Sequence, residues 1–233
     1  MLEVTNAQDQ SETMRVVSES LSPDHLLRWA FNLYGTDLAI ASAFGAEGVV
    51  VIDMAAAIFP NLRVFMLDTG YLFPETLELV GKVERRYGIR VERILPAVTP
   101  EQQAELYQPE LWRRNPDLCC RIRKIEPLKR MLKELRAWVT AIRRDQTPAR
   151  RDVAKIGWDP RFQLVKINPL ADWSSARVWN YIRQHGLDYN PLHDHDYPSI
   201  GCTHCTRPVR IGEDPRAGRW SDSGKSECGL HGK

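Results

Sequence analysis

Residues 38–59 read LAIASAFGAEGVVVIDMAAAIF, and the reading of this stretch decides the fold. Leu38-Ala39-Ile40-Ala41 is a short apolar run, as expected of a strand buried on both faces. Ser42-Ala43-Phe44-Gly45-Ala46-Glu47-Gly48 follows, and from Val49 the chain reads as a mostly buried helix closed by Pro60. A buried strand that empties through small residues into a helix is half of a βαβ unit. The free N–H groups and dipole at such a helix start favour an anion, and small side chains let one approach. An ordinary tight turn has the same outline. The loop is neither a Walker loop nor a dinucleotide fingerprint, since GKS/T and GxGxxG are both absent.

The same alternation continues outward. On the N-terminal side, Ser22-Pro23 opens a helix carrying Leu26, Leu27, Ala30, Phe31 and Leu33, ended by Gly35. Residues 1–20 are a polar arm. On the C-terminal side, Arg63–Leu67 is a second strand, emptying into Asp68-Thr69-Gly70-Tyr71. Pro74–Tyr87 is a helix stopped by Gly88, Ile89–Leu95 a third strand, and Thr99-Pro100-Glu101-Gln102 another helix start. Pro109–Arg114 is a short helix. Cys119–Leu135 repeats Ile122, Ile125, Leu128, Met131, Leu132 and Leu135 at helical spacing. Trp138–Ile142 and Phe162–Ile167 are strands, and Ser174–His185 is a helix before Gly186. This order predicts an α/β fold, a mostly parallel sheet with helices on both faces. Residues 21–198 form a nucleotide-binding α/β domain, and 199–233 a C-terminal segment of the same domain.

In such sheets ligands bind beyond the carboxyl ends of the strands. The loops after Ala41 and after Leu67 therefore share a rim, and the strand at Trp138 brings Arg143-Arg144-Asp145-Gln146-Thr147 toward it. The formal net charge of +2 names no partner. Local charge says more: residues 113–155 carry 14 Lys/Arg against 5 Asp/Glu. A solvated face would account for such a run, but this one flanks Cys119-Cys120 and suits a small polyanion better than nucleic acid. Glu3, Asp9, Glu12, Arg15 and Glu19 interrupt any secretory apolar core, and no window approaches the roughly 18 apolar residues of a membrane helix. The expectation is a cytoplasmic protein without membrane association, in which clustered cysteines serve metal or redox chemistry rather than disulfides.

There are 5 cysteines. Cys119-Cys120 and Cys202-x-x-Cys205 make two pairs that could share a metal centre. Zinc is the default for four thiolates, while an adjacent pair splayed toward one centre is easier on a four-iron cluster. Cys228 is left as a reactive thiol on a glycine-bearing tail beside His231, and a nearby cation would favour its thiolate. His193 and His195 read as a hydrogen-bonded loop.

At this point the residues resemble a family. Ser42-x-Phe-Gly-Ala-Glu, residues 67–76 (LDTGYLFPET), 119–128 (CCRIRKIEPL), 143–146 (RRDQ), 202–208 (CTHCTRP) and 227–231 (ECGLH) together look like the bacterial assimilatory adenylyl-sulfate (APS) reductases, kin of the phosphoadenylyl-sulfate (PAPS) reductases. The resemblance runs from about Leu38 to His231. It implies an adenine nucleotide α-hydrolase-like fold and a [4Fe-4S] cluster on Cys119, Cys120, Cys202 and Cys205. It implies Cys228 as nucleophile with His231 assisting, and thioredoxin or a glutaredoxin-like protein as reductant. Ser42, Phe44 and Gly45 would take the nucleotide's phosphate, and Leu67, Asp68, Thr69 and Gly70 would frame the adenosine. Lys124, Arg143, Arg144, Arg216 and Arg219 would compensate charge. The loop Ala43–Glu47 stands where ATP-splitting relatives carry SGGxDS, which suits a nucleotide not cleaved between phosphates. The cluster cysteines, absent from typical PAPS-specific reductases, favour APS, with PAPS or dual use as the alternative. A homo-oligomer is compatible with all of this. A reading of another class is a non-catalytic, zinc-stabilised nucleotide-binding module.

Overall fold

One sheet organises the computed structural model, which describes residues 14–221, 223, 225 and 227–230. Its strands are β1 (Leu38–Ala41), β2 (Val64–Leu67), β3 (Val91–Ile94), β4 (Ala137–Val139), β5 (Ile156–Asp159) and β6 (Leu164–Ile167). Their spatial order is β3-β2-β1-β4-β6-β5. Every pairing is parallel except that of β5 with β6. The chain thus winds outward from β1 to β3, then crosses back to lay β4 on the other side of β1. The loops leaving β1 and β4 diverge at that reversal, which opens a crevice at the carboxyl ends.

The connecting helices are α1 (Pro23–Tyr34), α2 (Ala46–Ala56), α3 (Pro74–Tyr87), α4 (Pro100–Tyr107), α5 (Leu111–Arg114), α6 (Pro116–Cys120), α7 (Glu126–Leu132) and α8 (Ser175–His185). Strand side chains alternate between faces, and the core divides accordingly. Leu38, Ile40, Val64, Met66, Val139 and Val165 pack with α1, α2, α3 and α8. Ala39, Phe65, Trp138 and Leu164 pack with Leu128, Met131 and Leu132 of α7. Both faces are covered, which is why β1 carries no polar side chain. The fold is the one expected from the sequence. No helix among the described residues is long and apolar enough to cross a membrane.

Besides shifts of up to three residues at other element ends, three details differ from the sequence reading. The single helix expected over Cys119–Leu135 is α6, a π-turn at Arg121–Ile125, and then α7. Pro127 supplies no N–H, and its ring crowds the carbonyl four residues back, so the ladder slips to the wider turn. The strand expected to run to Ile142 ends at Val139; just past it the Thr140 N–H still donates to the Ile167 carbonyl at 2.8 Å and its hydroxyl donates to Asn168 Oδ1 at 2.5 Å. β5 went unread: Ile156-Gly157-Trp158-Asp159 is a short edge strand containing glycine. The polar arm of 1–20 lies outside the described residues up to position 13, and His231 also lies outside them.

Candidate active site

The loop after β1 is coiled on itself. Ser42 N–H donates to the Phe65 carbonyl at 3.0 Å, and Ser42 Oγ accepts from the Phe44 N–H at 3.0 Å. Phe44 sits at φ 56°, a left-handed conformation for a bulky residue, and its ring is fully buried in the core. That ring anchors the loop, and the strain is the kind found at functional turns. Gly45 then caps α2 without a side-chain bond. A Cβ on Gly48 would meet Ser42 Oγ at 2.4 Å, so the first turn of α2 closes over Ser42 only because residue 48 is glycine. Above this loop, at the β1/β4 reversal, lies a cavity of about 870 Å³.

The cysteine pairs come from opposite directions. The chain at Cys202 bridges antiparallel to Leu72, and Thr203 N–H donates to the Tyr71 carbonyl at 2.8 Å. Thr69 Oγ1 lies 3.3 Å from Cys202 Sγ. Arg123, on the π-turn, donates to the Thr69 carbonyl at 2.9 Å and lies over the Tyr71 ring. The β2–α3 loop is therefore the clamp between the cysteine segments. All five thiols are free, and Cys119, Cys120, Cys202 and Cys205 line one small pocket roofed by Trp112 and His204, whose rings stack at 4.8 Å. Burial pushes the Cys119 thiol up to about 11, with Cys120 and Cys202 adding. Burial likewise lifts Cys205 to about 11, with Cys202 next. Burial would raise Cys202 too, but Lys124, Thr69 and Arg219 outweigh it and lower its pKa. Thiols that raise one another's pKa are near neighbours facing one space. Among the described residues, no three His, Cys, Asp or Glu side chains are grouped as a site for one ion. A single tetrahedral zinc needs all its sulfurs at about 2.3 Å from one point. The donor set, four sulfurs around a pocket, fits a multi-iron cluster better, because each cysteine there binds its own iron.

Lys124 joins this pocket to the larger cavity. Burial works against its charge, yet Cys202, Cys228 and Cys120 together raise its pKa. It lines both spaces, sharing the small pocket with the cysteine pairs and the larger cavity with Cys228. Arg219 donates to Ser199 Oγ at 3.2 Å and to the Ile200 carbonyl at 3.1 Å, and a Cβ on Gly201 would strike its Nη2 at 2.2 Å. Arg216 reaches Ser199 Oγ and Glu227 Oε2, each at 3.4 Å. The tail is strapped down beside them. Lys225 Nζ pairs with Asp117 at 2.5 Å, Glu227 with Arg150 at 2.7 Å, and Arg161 donates to the carbonyls of Gly229 and Leu230, each at 2.7 Å. Half-buried Cys228 thereby faces the cavity.

Residues 37–208 match the family model described as the phosphoadenosine phosphosulfate reductase domain. The chain belongs to this family. It is 48% identical over 207 residues to the adenosine 5'-phosphosulfate reductase of Halalkalibacterium halodurans, covering 88% of this chain and 90% of that one. It is 45% identical over 216 residues to the phosphoadenosine 5'-phosphosulfate reductase of Gloeobacter violaceus, covering 91% and 90%. The crystal structure of phosphoadenylyl-sulfate reductase from Candida auris, a phosphate complex, superposes with a TM-score of 0.75 at 32% identity, over 87% of this chain and 97% of that one.

Within this phosphoadenosine phosphosulfate reductase domain, the residues singled out by sequence do not all fall in one place. Ser42, Gly45, Leu67, Thr69, Lys124, Arg143, Arg216, Arg219, Cys202 and Cys228 all line the cavity. Arg143 is turned toward Glu47 at 3.2 Å and Asp145 at 3.1 Å. Cys119, Cys120 and Cys205 line the neighbouring pocket. Phe44, Asp68, Gly70 and Arg144 are not in the cavity wall. Phe44 is core; Asp68 Oδ1 accepts the Gly70 N–H at 3.1 Å in the turn; Gly70 packs on Pro100; Arg144 pairs with Glu19 at 2.6 Å. His193 Nδ1 lies 2.8 Å from the Tyr197 carbonyl, a hydrogen-bonded loop. Sequence reasoning missed Arg150 and Glu227. Arg150 was hidden in the basic run, and Glu227 in the motif around Cys228, where adjacency to the thiol was the available signal.

Proposed function

We propose that this chain reduces adenosine 5'-phosphosulfate to sulfite and AMP, with Cys228 as nucleophile and thioredoxin, or a glutaredoxin-like dithiol protein, as electron donor. The observation that carries the reading is that Cys228, Lys124, Arg216 and Arg219 line the same cavity as the anion-binding loop at Ser42–Gly48. The names of the adenosine 5'-phosphosulfate reductases to which the chain is similar support it. In this reading Ser42 and the amides opening α2 hold the nucleotide's phosphate. The guanidinium forks of Arg216 and Arg219 take the phosphosulfate oxygens.

The Cys228 thiolate attacks the sulfate sulfur. A sulfur–sulfur bond forms, the sulfur–oxygen bond to phosphate breaks, and AMP leaves with that electron pair. A thiolate of the donor then attacks Cys228 Sγ. Sulfite leaves with the pair of the broken bond, and the donor's second thiol resolves the mixed disulfide, returning Cys228 reduced and the donor oxidised. Cys119, Cys120, Cys202 and Cys205 are suited to hold a [4Fe-4S] cluster, which when bound supplies a fixed charge centre and a tie between the two cysteine segments. Lys124 lines both that pocket and the cavity that holds Cys228, a cation suited to the anionic substrate. Five free thiols suit a reducing compartment such as the cytoplasm.

The test offers the purified protein adenosine 5'-phosphosulfate and its 3'-phosphorylated analogue separately, with reduced thioredoxin, and measures sulfite. Sulfite from the former is expected. Sulfite from the latter alone would assign the chain the activity named for the Gloeobacter relative, and none from either would remove the proposal.

A further inference from the structure

The reaction proposed above makes two incompatible demands on one thiol. Cys228 must face the cavity to attack, and its sulfonated sulfur must then meet a protein donor that cannot enter about 870 Å³. The tail must be held, and the hold must be releasable. We infer that Glu227 is the positioning residue for Cys228: its carboxylate, clasped by Arg150 and Thr147, latches the tail with the thiol turned inward, and undoing that clasp presents the thiol to its donor.

The clasp is built for the purpose. Arg150 Nε and Nη2 donate to Glu227 Oε1 and Oε2 at 2.9 and 2.7 Å, a two-pronged pairing, and Thr147 Oγ1 donates to Oε1 at 3.0 Å. Arg216 Nη2 adds a longer contact at 3.4 Å. Side-chain exposure is 8% for Arg150 and 16% for Glu227. The other tail ion pair among the described residues, Lys225–Asp117, ends on a carboxylate that is 85% exposed, where water and salt weaken it. The ties of Arg161 are to main-chain carbonyls, which any sequence would offer. Arg150 is itself fixed. Its Nη1 donates to Gln146 Oε1 at 2.6 Å, and Gln146 Nε2 donates to Glu47 Oε1 at 3.1 Å on the first turn of α2. The latch is thus referenced to the helix that carries the nucleotide loop, and a residue beside the thiol sets where the thiol points. Burial opposes the Glu227 charge, but the bonds and charge of Arg150 and then Arg216 hold its pKa below the usual range.

The inference rests on Cys228 being the reactive thiol, and its test does not need the substrate to be right. Full-length Glu227→Ala and Glu227→Gln are treated with iodoacetamide without substrate, beside the unaltered enzyme, and carbamidomethylation of the Cys228 peptide is followed by mass. Loss of a charge-assisted clasp should speed labelling at least about tenfold in Glu227→Ala, with Glu227→Gln between. A single turnover without reductant should show slower first AMP release, while AMP affinity stays that of the unaltered enzyme. Discharge of a preformed S-sulfonate by dithiothreitol should be no slower. Unchanged labelling, or AMP affinity falling in step with AMP release, would overturn the latch. If the unaltered enzyme releases no AMP from adenosine 5'-phosphosulfate, the proposed reaction falls while the labelling comparison still decides the latch.

Discussion

Gly48 and Ser42 show how one missing methyl sets a site. Because a Cβ at residue 48 would meet Ser42 Oγ at 2.4 Å, Gly48→Ala must rotate Ser42 away and break its bond from the Phe44 N–H. The expected cost is that of overpacking, about 1–3 kcal/mol, read as a lower Tm and weaker nucleotide binding. Ser42→Ala removes the obstructing oxygen, and its Cβ, at 3.6 Å, is in ordinary contact. In that background Gly48→Ala should therefore cost much less stability, a coupling that a double-mutant cycle measures. The arginines make a separate prediction. If Arg216 and Arg219 hold the phosphosulfate, each Ala substitution should weaken substrate binding about tenfold to a hundredfold, from about 1.5–3 kcal/mol per charge-assisted bond, with iron content unchanged. Unaltered affinity would place the phosphosulfate elsewhere. Glu227 sets a pH dependence. Its folded pKa is depressed, so its contribution is complete above the ordinary carboxylate value of about 4.3 and is lost as pH falls through the lower folded value. The ratio of Cys228 labelling rates in Glu227→Ala and the unaltered enzyme should consequently stay constant between pH 5 and 9, and a step in that ratio near pH 6 would contradict this. At this scale the sequence was legible where chemistry is local, as at the cysteines and at Ser42. It was silent on Arg150, because a partner 77 residues away is set by the fold.

At the scale of elements, the cysteine centre depends on two segments brought together by a third. Cys119 and Cys120 end α6, Cys202 and Cys205 flank a single turn, and Thr69, Tyr71 and Leu72 hold that turn in place. Replacing any one of the four cysteines with Ser should abolish iron content and the broad visible absorbance of a cluster, since the site has no spare sulfur. A variant with full iron would strike that residue from the ligand set. A colourless protein containing one zinc would support the structural-module reading instead. Element boundaries were readable where caps are explicit. Pro74 and Gly88 bracket α3, and Ser174 and Gly186 bracket α8, as the sequence suggested. They were misread where a tertiary contact decides. Thr140, just past β4, shares its N–H with the Ile167 carbonyl and its hydroxyl with Asn168 Oδ1, and the helix after Cys120 widens because Pro127 cannot continue the regular ladder.

For the whole molecule, the strand order explains why distant motifs meet. Apolar runs alternating with helices were enough to read a mostly parallel sheet, but the order β3-β2-β1-β4 follows only from which edges are free to pair, and it is this order that opens the crevice beside β1. The C-terminal segment then closes the crevice, with Cys228 on the cavity wall. This arrangement predicts a reaction that stalls halfway without an electron donor. Mixed with adenosine 5'-phosphosulfate and no reductant, the enzyme should release one AMP per site, on the order of a single equivalent, and then stop, as a covalent intermediate requires. The protein should gain the mass of one sulfonate, located on the peptide containing Cys228. Reduced thioredoxin should discharge it as sulfite and restore turnover. Cys228→Ser should keep its iron and bind AMP normally, because neither the cysteine pocket nor the loop after β1 uses this thiol, yet form no adduct. An S-sulfonate on Cys202 or Cys205, or turnover by the Ser variant, would move the nucleophile from the tail to the cysteine pocket.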